Sequence, residues 1–184
     1  MVSCRRDIFL YHRDVQPAKD IFDAHARTLL RRAITEVQAS HPFEMLSVVV
    51  LPDHCHCIWK MADDDVNFSV RWGLIKTTFT KLWLSSGGRD MPVSESRAQR
   101  GERSVWQRRF WEHLIRNQQD FARHMDYIHY NAVKHGYVTC PHLWGHSSFH
   151  RWAKDGVYRS DWLCQCRQYC KPPDFEVISH TVGE

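Results

Sequence analysis

Residues 43–61 read FEMLSVVVLPDHCHCIWKM, and this stretch decides the fold. Its first half, Phe43 to Leu51, is dense in β-branched and apolar residues around Val48-Val49-Val50, the composition of a strand. Pro52-Asp53 punctuates the run, and His54 to Met61 resumes an extended pattern. The spacing predicts two neighbouring strands joined by a tight turn. Because side chains alternate along a strand, His54 and His56 share one face about 7 Å apart, while Cys55 and Cys57 point to the other.

Helical periodicity flanks the pair. Between Pro17 and Ser40, Phe22, Ala26, Leu29, Ala33 and Val37 recur at spacings of three and four, which predicts an amphipathic helix. A second helix is predicted from about Ser69 to Leu84, with Trp72, Ile75, Phe79 and Leu82 on one side. Ser85–Ser104 has almost nothing apolar and is expected to be a mobile surface loop. Val105–Ile115 is aromatic-rich and extended. Asn117 then offers an N-cap with Asp120 three residues on, and the helix it starts should close at Gly136. With a first strand near Ile8–Tyr11, the order is strand, helix, strand, strand, helix, strand, helix. That order predicts an α+β fold, a ferredoxin-like βαββαβ antiparallel sheet with an additional C-terminal helix. Residues 1–152 form the expected domain; 153–184 is a Trp- and Cys-containing tail to which the pattern assigns no structure.

A chain of 184 residues, 43% hydrophobic and 25% charged, suits one compact domain and excludes a long disordered protein. No apolar run approaches the roughly 18 residues needed to cross a bilayer, and the first thirty residues lack a secretory apolar core, so a cytoplasmic protein is expected. Seven cysteines, an odd number without paired CxxC knuckles, fit a reducing compartment. Cys164, Cys166 and Cys170 lack a matching half-site and read as incidental rather than metal-binding. From Arg71 to Tyr137 there are 12 Lys/Arg against 6 Asp/Glu, a basic block that favours a polyanionic partner over an ordinary solvated surface.

Two groups of residues can carry chemistry. His54 and His56 can chelate a metal ion, although with 13 histidines in 184 residues about one His-x-His pair is expected by chance. On the last helix, Phe121, Met125, Ile128 and Ala132 fall within about 60° of arc and form the expected buried stripe, with Tyr130 roughly opposite. His124, Tyr127 and Asn131 cluster on a separate flank. Tyr127 and Asn131 are one turn apart, so a hydroxyl nucleophile sits beside an amide oxygen; alone, that pair more often marks a half-buried surface tyrosine.

Three strings together carry a resemblance. They are Val49–Trp59 (VVLPDHCHCIW), Trp106–His113 (WQRRFWEH) and Asp126–Gly136 (DYIHYNAVKHG), and in this order they resemble the REP-associated tyrosine transposases, bacterial relatives of the single-tyrosine HUH transposases. The resemblance spans roughly Phe43 to Trp152. It implies an HUH nuclease fold and a metal-dependent endonuclease and strand transferase for single-stranded DNA, acting on palindromic repeats that fold as hairpins. His54 and His56 match the HUH pair, Tyr127 the catalytic tyrosine and Asn131 the third ligand position. The implied cofactor is a divalent metal, Mg²⁺ or Mn²⁺; the implied partner is single-stranded or hairpin DNA, with monomer and homodimer both open. Two departures stand out. Met1–Asp14 lacks the family's Gly-containing, Phe/Thr/Val-rich opening, and Ala132 replaces a usual proline, which predicts a longer helix.

Arg108, Arg109, Arg116 and Lys134 are the expected phosphate contacts, and Trp106 and Trp111 the candidates for stacking on unpaired bases. Two rival readings fit the same residues. One is a catalytically inactive or domesticated DNA-binding module, favoured by the atypical N-terminus and opposed by the intact His54, His56, Tyr127 and Asn131. The other is a zinc hydrolase built from His54, His56 and one of His142, His146 or His150, for which no acidic base is identifiable.

Overall fold

A computed structural model describes residues 7–13, 22–62, 65–106, 110–166 and 170–182. The predicted strand pair is present as β2 (Glu44–Val50) and β3 (His54–Lys60), antiparallel and joined by a turn at Leu51–Asp53. The first strand, β1 (Asp7–Arg13), pairs with β3 on one side and with the short β4 (Trp111–Leu114) on the other, both antiparallel. The sheet order is therefore β2-β3-β1-β4. A non-consecutive order of this kind places the chain's first strand in the middle of the sheet, which requires the intervening helices to cross over its faces.

Those crossovers are α1 (Ala24–Ser40) and α2 (Phe68–Ser85), packed against one another. The expected α1 stripe shifts by one position, since Leu30 rather than Leu29 is buried with Ala26, Ala33 and Val37. The helix also starts later than Pro17: Asp23 is its N-cap, its carboxylate accepting from the Ala26 amide at 2.7 Å. Such a cap satisfies an orphan amide and contributes about 1 kcal/mol. Phe22, just ahead of the cap, is buried against Phe79 and Trp106, so its place in the core owes nothing to helical phase.

The two faces of β3 separate the molecule into two cores, as strand alternation requires. Cys55, Cys57 and Trp59 face α1 and α2, among Trp72, Phe79 and Trp106. Ile58 faces the opposite way, with Leu46 and Val49 of β2, toward α4 (Gln118–Lys134). Asn117 caps α4 as expected, accepting from the Asp120 amide at 2.9 Å, and the helix runs unbroken through Ala132. It closes at Gly136, whose φ of +72° is a left-handed conformation that glycine adopts without a Cβ clash.

Two segments differ from expectation. Within Ser85–Ser104 a four-residue helix, α3 (Glu95–Ala98), forms, and the segment's ends are tied together: the Asp90 carboxylate accepts from the Ser104 amide at 2.9 Å, the Ser104 hydroxyl at 2.8 Å and Arg103 at 2.9 Å. Hydrogen bonding, not apolar burial, holds this loop, which is why hydropathy gave no sign of it. The tail likewise has a structure. Tyr158, Phe175 and Ile178 belong to the same core as α4, with α5 (Phe149–Lys154) beneath them and α6 (Glu176–Val182) at the end.

Candidate active site

Strand alternation and helix phase bring the predicted residues together. His54 and His56 project from β3 toward α4, both buried, with ring centroids 5.1 Å apart and planes nearly perpendicular. From α4, Tyr127 places its ring 5.3 Å from that of His56. Asn131, one turn later and fully buried, presents its Oδ1 3.3 Å from His54 Nε2.

That last contact sets two potential metal-donor atoms side by side. His54 Nδ1 donates to the Asp53 carboxylate at 2.6 Å, which fixes the tautomer and leaves Nε2 as a lone pair in the neutral ring. Nε2 therefore faces the lone pairs of an amide oxygen. Two imidazoles plus one amide oxygen are the kind of donor set that a divalent ion can take. The Asn131 Nδ2 is buried with no hydrogen-bond partner among the described residues, so the amide is held in place by packing rather than by its own donor.

The nucleophile candidate has its own partner. Lys134 Nζ donates to the Tyr127 hydroxyl at 3.1 Å and lies 4.9 Å over its ring. An ammonium in this position favours the phenolate by Coulomb attraction and by hydrogen bonding to the charged form.

No protein-family model matches the chain. Two curated relatives do, each at 42% identity: a Haemophilus influenzae protein over 132 residues, 72% of this chain and 73% of that one, and an Escherichia coli protein over 134 residues, 73% and 71%. Both carry the name REP-associated tyrosine transposase. This chain belongs to that family. A solved REP-associated tyrosine transposase, bound to a REP hairpin, superposes with a TM-score of 0.72 at 34% identity, covering 94% of this chain and 90% of that one.

The remaining candidates of this transposase divide sharply. Arg108 and Arg109 lie outside the described residues. Arg116 is exposed just ahead of α4. Lys134, expected on phosphate, instead meets Tyr127. Trp111 is half-buried on β4, its ring parallel to that of His113. Trp106 is no stacking platform: it is 5% exposed, wedged among Phe22, Trp72 and Phe79, with its indole N–H donating to Thr80 Oγ1 at 3.1 Å. Such full burial is what a large aromatic in a core shows, and it leaves no face for a base. None of His142, His146 and His150 joins a three-ligand cluster of His, Cys or acidic groups among the described residues, so the zinc hydrolase has no site.

Three features escaped the sequence. His135 lies with its ring 5.0 Å from that of His54, a position one turn beyond Asn131 from which it joins the cluster. His113 of β4 and His124 of α4 converge on Asp120, at 2.8 Å and 3.1 Å, with their rings stacked. Burial raises the Asp120 carboxyl, but the Arg116 amide and the two imidazoles outweigh it and hold it below the usual carboxylate range. Finally, Tyr130 is buried rather than opposite the core, because the tail wraps that side of α4: the Phe175 ring lies 5.5 Å from Tyr127 and 5.8 Å from Tyr130. Tyr158 anchors this wrap, its hydroxyl donating to Asp126 at 2.7 Å.

Proposed function

We propose that this transposase cuts and rejoins single-stranded DNA at palindromic hairpin repeats through a 5′-phosphotyrosine on Tyr127. The observation that carries the reading is the convergence of His54, His56, Asn131 and Tyr127 from one strand and one helix. The solved relative is a REP hairpin complex, which supports hairpin DNA as the partner here.

His54, His56 and Asn131 would hold a divalent ion, Mg²⁺ or Mn²⁺, which when bound neutralises charge on the scissile phosphate. The Tyr127 hydroxyl attacks phosphorus, forming the phosphotyrosyl bond as the bond to the 3′-oxygen breaks. The proton lost by tyrosine is balanced by the one gained at the departing 3′-hydroxyl. Lys134 stabilises the phenolate as that proton leaves. Since one phosphoester replaces another, the step reverses onto a second strand without a nucleotide cofactor.

Single-turnover cleavage of a hairpin-bearing strand tests the assignment. A folded His56→Ala protein should lose metal-dependent cleavage while retaining hairpin binding; undiminished cleavage would remove the histidine pair from the site. One observation favours a second reading, a module that binds hairpins without cutting them: Tyr127 is 1% exposed beneath the tail. Absence of any covalent adduct under all divalent ions would support that module.

A further inference from the structure

Three cysteine sulfurs meet where the tail returns to the end of α4, and a fourth cysteine, Cys170, follows four residues after the last of them. Cys140 is buried one residue ahead of a 3-10 turn at Pro141–Leu143, and its sulfur is joined to that of Cys164. The Cys166 Sγ lies 2.9 Å from Cys164 Sγ and 3.4 Å from Cys140 Sγ, so three sulfurs surround one point. Gln165 builds the loop that holds them. Its amide donates to Thr139 O at 2.8 Å, its Nε2 donates to Cys170 O at 2.7 Å, and its Oε1 accepts from the Cys170 amide at 3.2 Å. Leu163, immediately before Cys164, has a φ of +47°, the only non-glycine in the left-handed region among the described residues. Such a conformation is costly for a branched side chain and persists where the surroundings impose it.

A disulfide between Cys140 and Cys164 uses two of these sulfurs and leaves a third thiol pressed against the bond. One tetrahedral thiophilic cation uses all of them. We propose that in the reduced chain Cys140, Cys164, Cys166 and Cys170 bind a structural zinc ion. Tetrahedral Zn²⁺ takes thiolate sulfur at about 2.3 Å, which places ligand sulfurs about 3.8 Å apart, close to the 2.9 Å and 3.4 Å at which Cys166 Sγ already lies from its two neighbours. Cys170 is the fourth ligand because Gln165 folds its backbone back toward the cluster, and because the other described cysteines, Cys55 and Cys57, are buried in β3. An all-thiolate set is the donor chemistry that favours zinc most strongly, and it differs from the imidazole and amide donors beside Tyr127 by a spectroscopic signature of its own. The clip lies five residues ahead of Phe175 and thereby fixes the chain that covers Tyr127.

The full chain, purified under reducing conditions, is analysed for bound zinc and then titrated with Co²⁺ as a spectroscopic probe. One equivalent of zinc is expected, replaced by cobalt with tetrahedral d–d bands and with the near-ultraviolet thiolate-to-metal charge transfer that imidazole and carboxylate ligands cannot give. Cys166→Ser and Cys170→Ser should each lose the zinc and the bands, and His56→Ala should keep both. A folded wild-type protein without zinc and without thiolate bands overturns the proposal, as does retention of zinc by either serine variant. Should the variants fail to fold, the wild-type cobalt spectrum decides by itself.

Discussion

Lys134 and Tyr127 lie seven residues apart on α4, two turns, and the lysine ammonium reaches back to donate a hydrogen bond to the tyrosine hydroxyl at 3.1 Å. This direction is the one a long side chain near a helix C-terminus can take, because Cα–Cβ bonds tilt toward the N-terminus. The contact gives the proposed nucleophile a positive neighbour at a buried ring, where the attraction is screened less than in water.

Lys134→Met should therefore slow cleavage by about 10- to 100-fold near neutral pH, the effect of losing one charge-assisted hydrogen bond of about 1.5–3 kcal/mol to the phenolate. Without the ammonium, the phenolate forms less readily, so the rise in rate with pH should move to higher pH. Hairpin affinity should change little. An unchanged pH–rate profile in single-turnover cleavage would mean that Lys134 serves phosphate binding alone.

Tyr127, not Tyr130, should become joined to DNA. Both tyrosines are buried and both touch Phe175, so burial does not separate them. Position does: Tyr127 stacks edge-on with His56 and lies one turn from Asn131. Tyr127→Phe keeps the ring and its packing and should yield no denaturation-resistant adduct; Tyr130→Phe should still yield one. Peptide mapping of the adduct to Tyr130 would overturn the assignment.

The features that sequence made legible are those governed by a strict period. Alternation along His54-Cys55-His56-Cys57 placed the histidines and cysteines on opposite faces, and the four-residue step from Tyr127 to Asn131 set them together on one flank. Features governed by tertiary contact were not legible. The tail has no amphipathic period, because Tyr158, Trp162 and Phe175 pack singly against α4 and α5 instead of as one face. Tyr130 was misplaced for the same reason: helix phase predicts the side facing the sheet, and nothing in α4 itself announces a second covering layer. The Cys140 partner of the tail cysteines is 24 residues from Cys164, too far for a local spacing to reveal.

Phe175→Ala should accelerate cleavage. DNA cannot reach a hydroxyl whose residue is 1% exposed unless the tail swings aside, so the rate depends on the open fraction. Losing ring contacts worth about 1.4 kcal/mol raises a minor open population about tenfold, and single-turnover cleavage should follow. Hairpin binding measured in parallel separates exposure from affinity. A rate equal to that of the wild type would show that the ring does not gate the site.

A pH test bears on how α4 is held to β2. His129 is buried, its Nε2 2.8 Å from Ser148 Oγ and 3.1 Å from Ser47 Oγ, and burial, helped by the charge of Arg151, pushes its pKa down to about 3. The folded state thus keeps the ring neutral where the unfolded chain, with an ordinary value near 6.5, takes up a proton. Between those two values the unfolded state binds one more proton than the fold, so stability is full above about pH 6.5 and declines as the pH falls, by about 1.4 kcal/mol per unit. His129→Gln retains an amide for the two hydroxyls and removes the titration. Urea unfolding at about pH 7 and about pH 5 should show a smaller loss of stability on acidification in the variant than in the wild type, by roughly 2 kcal/mol. An equal loss in both proteins would show that His129 does not set the acid sensitivity of this interface.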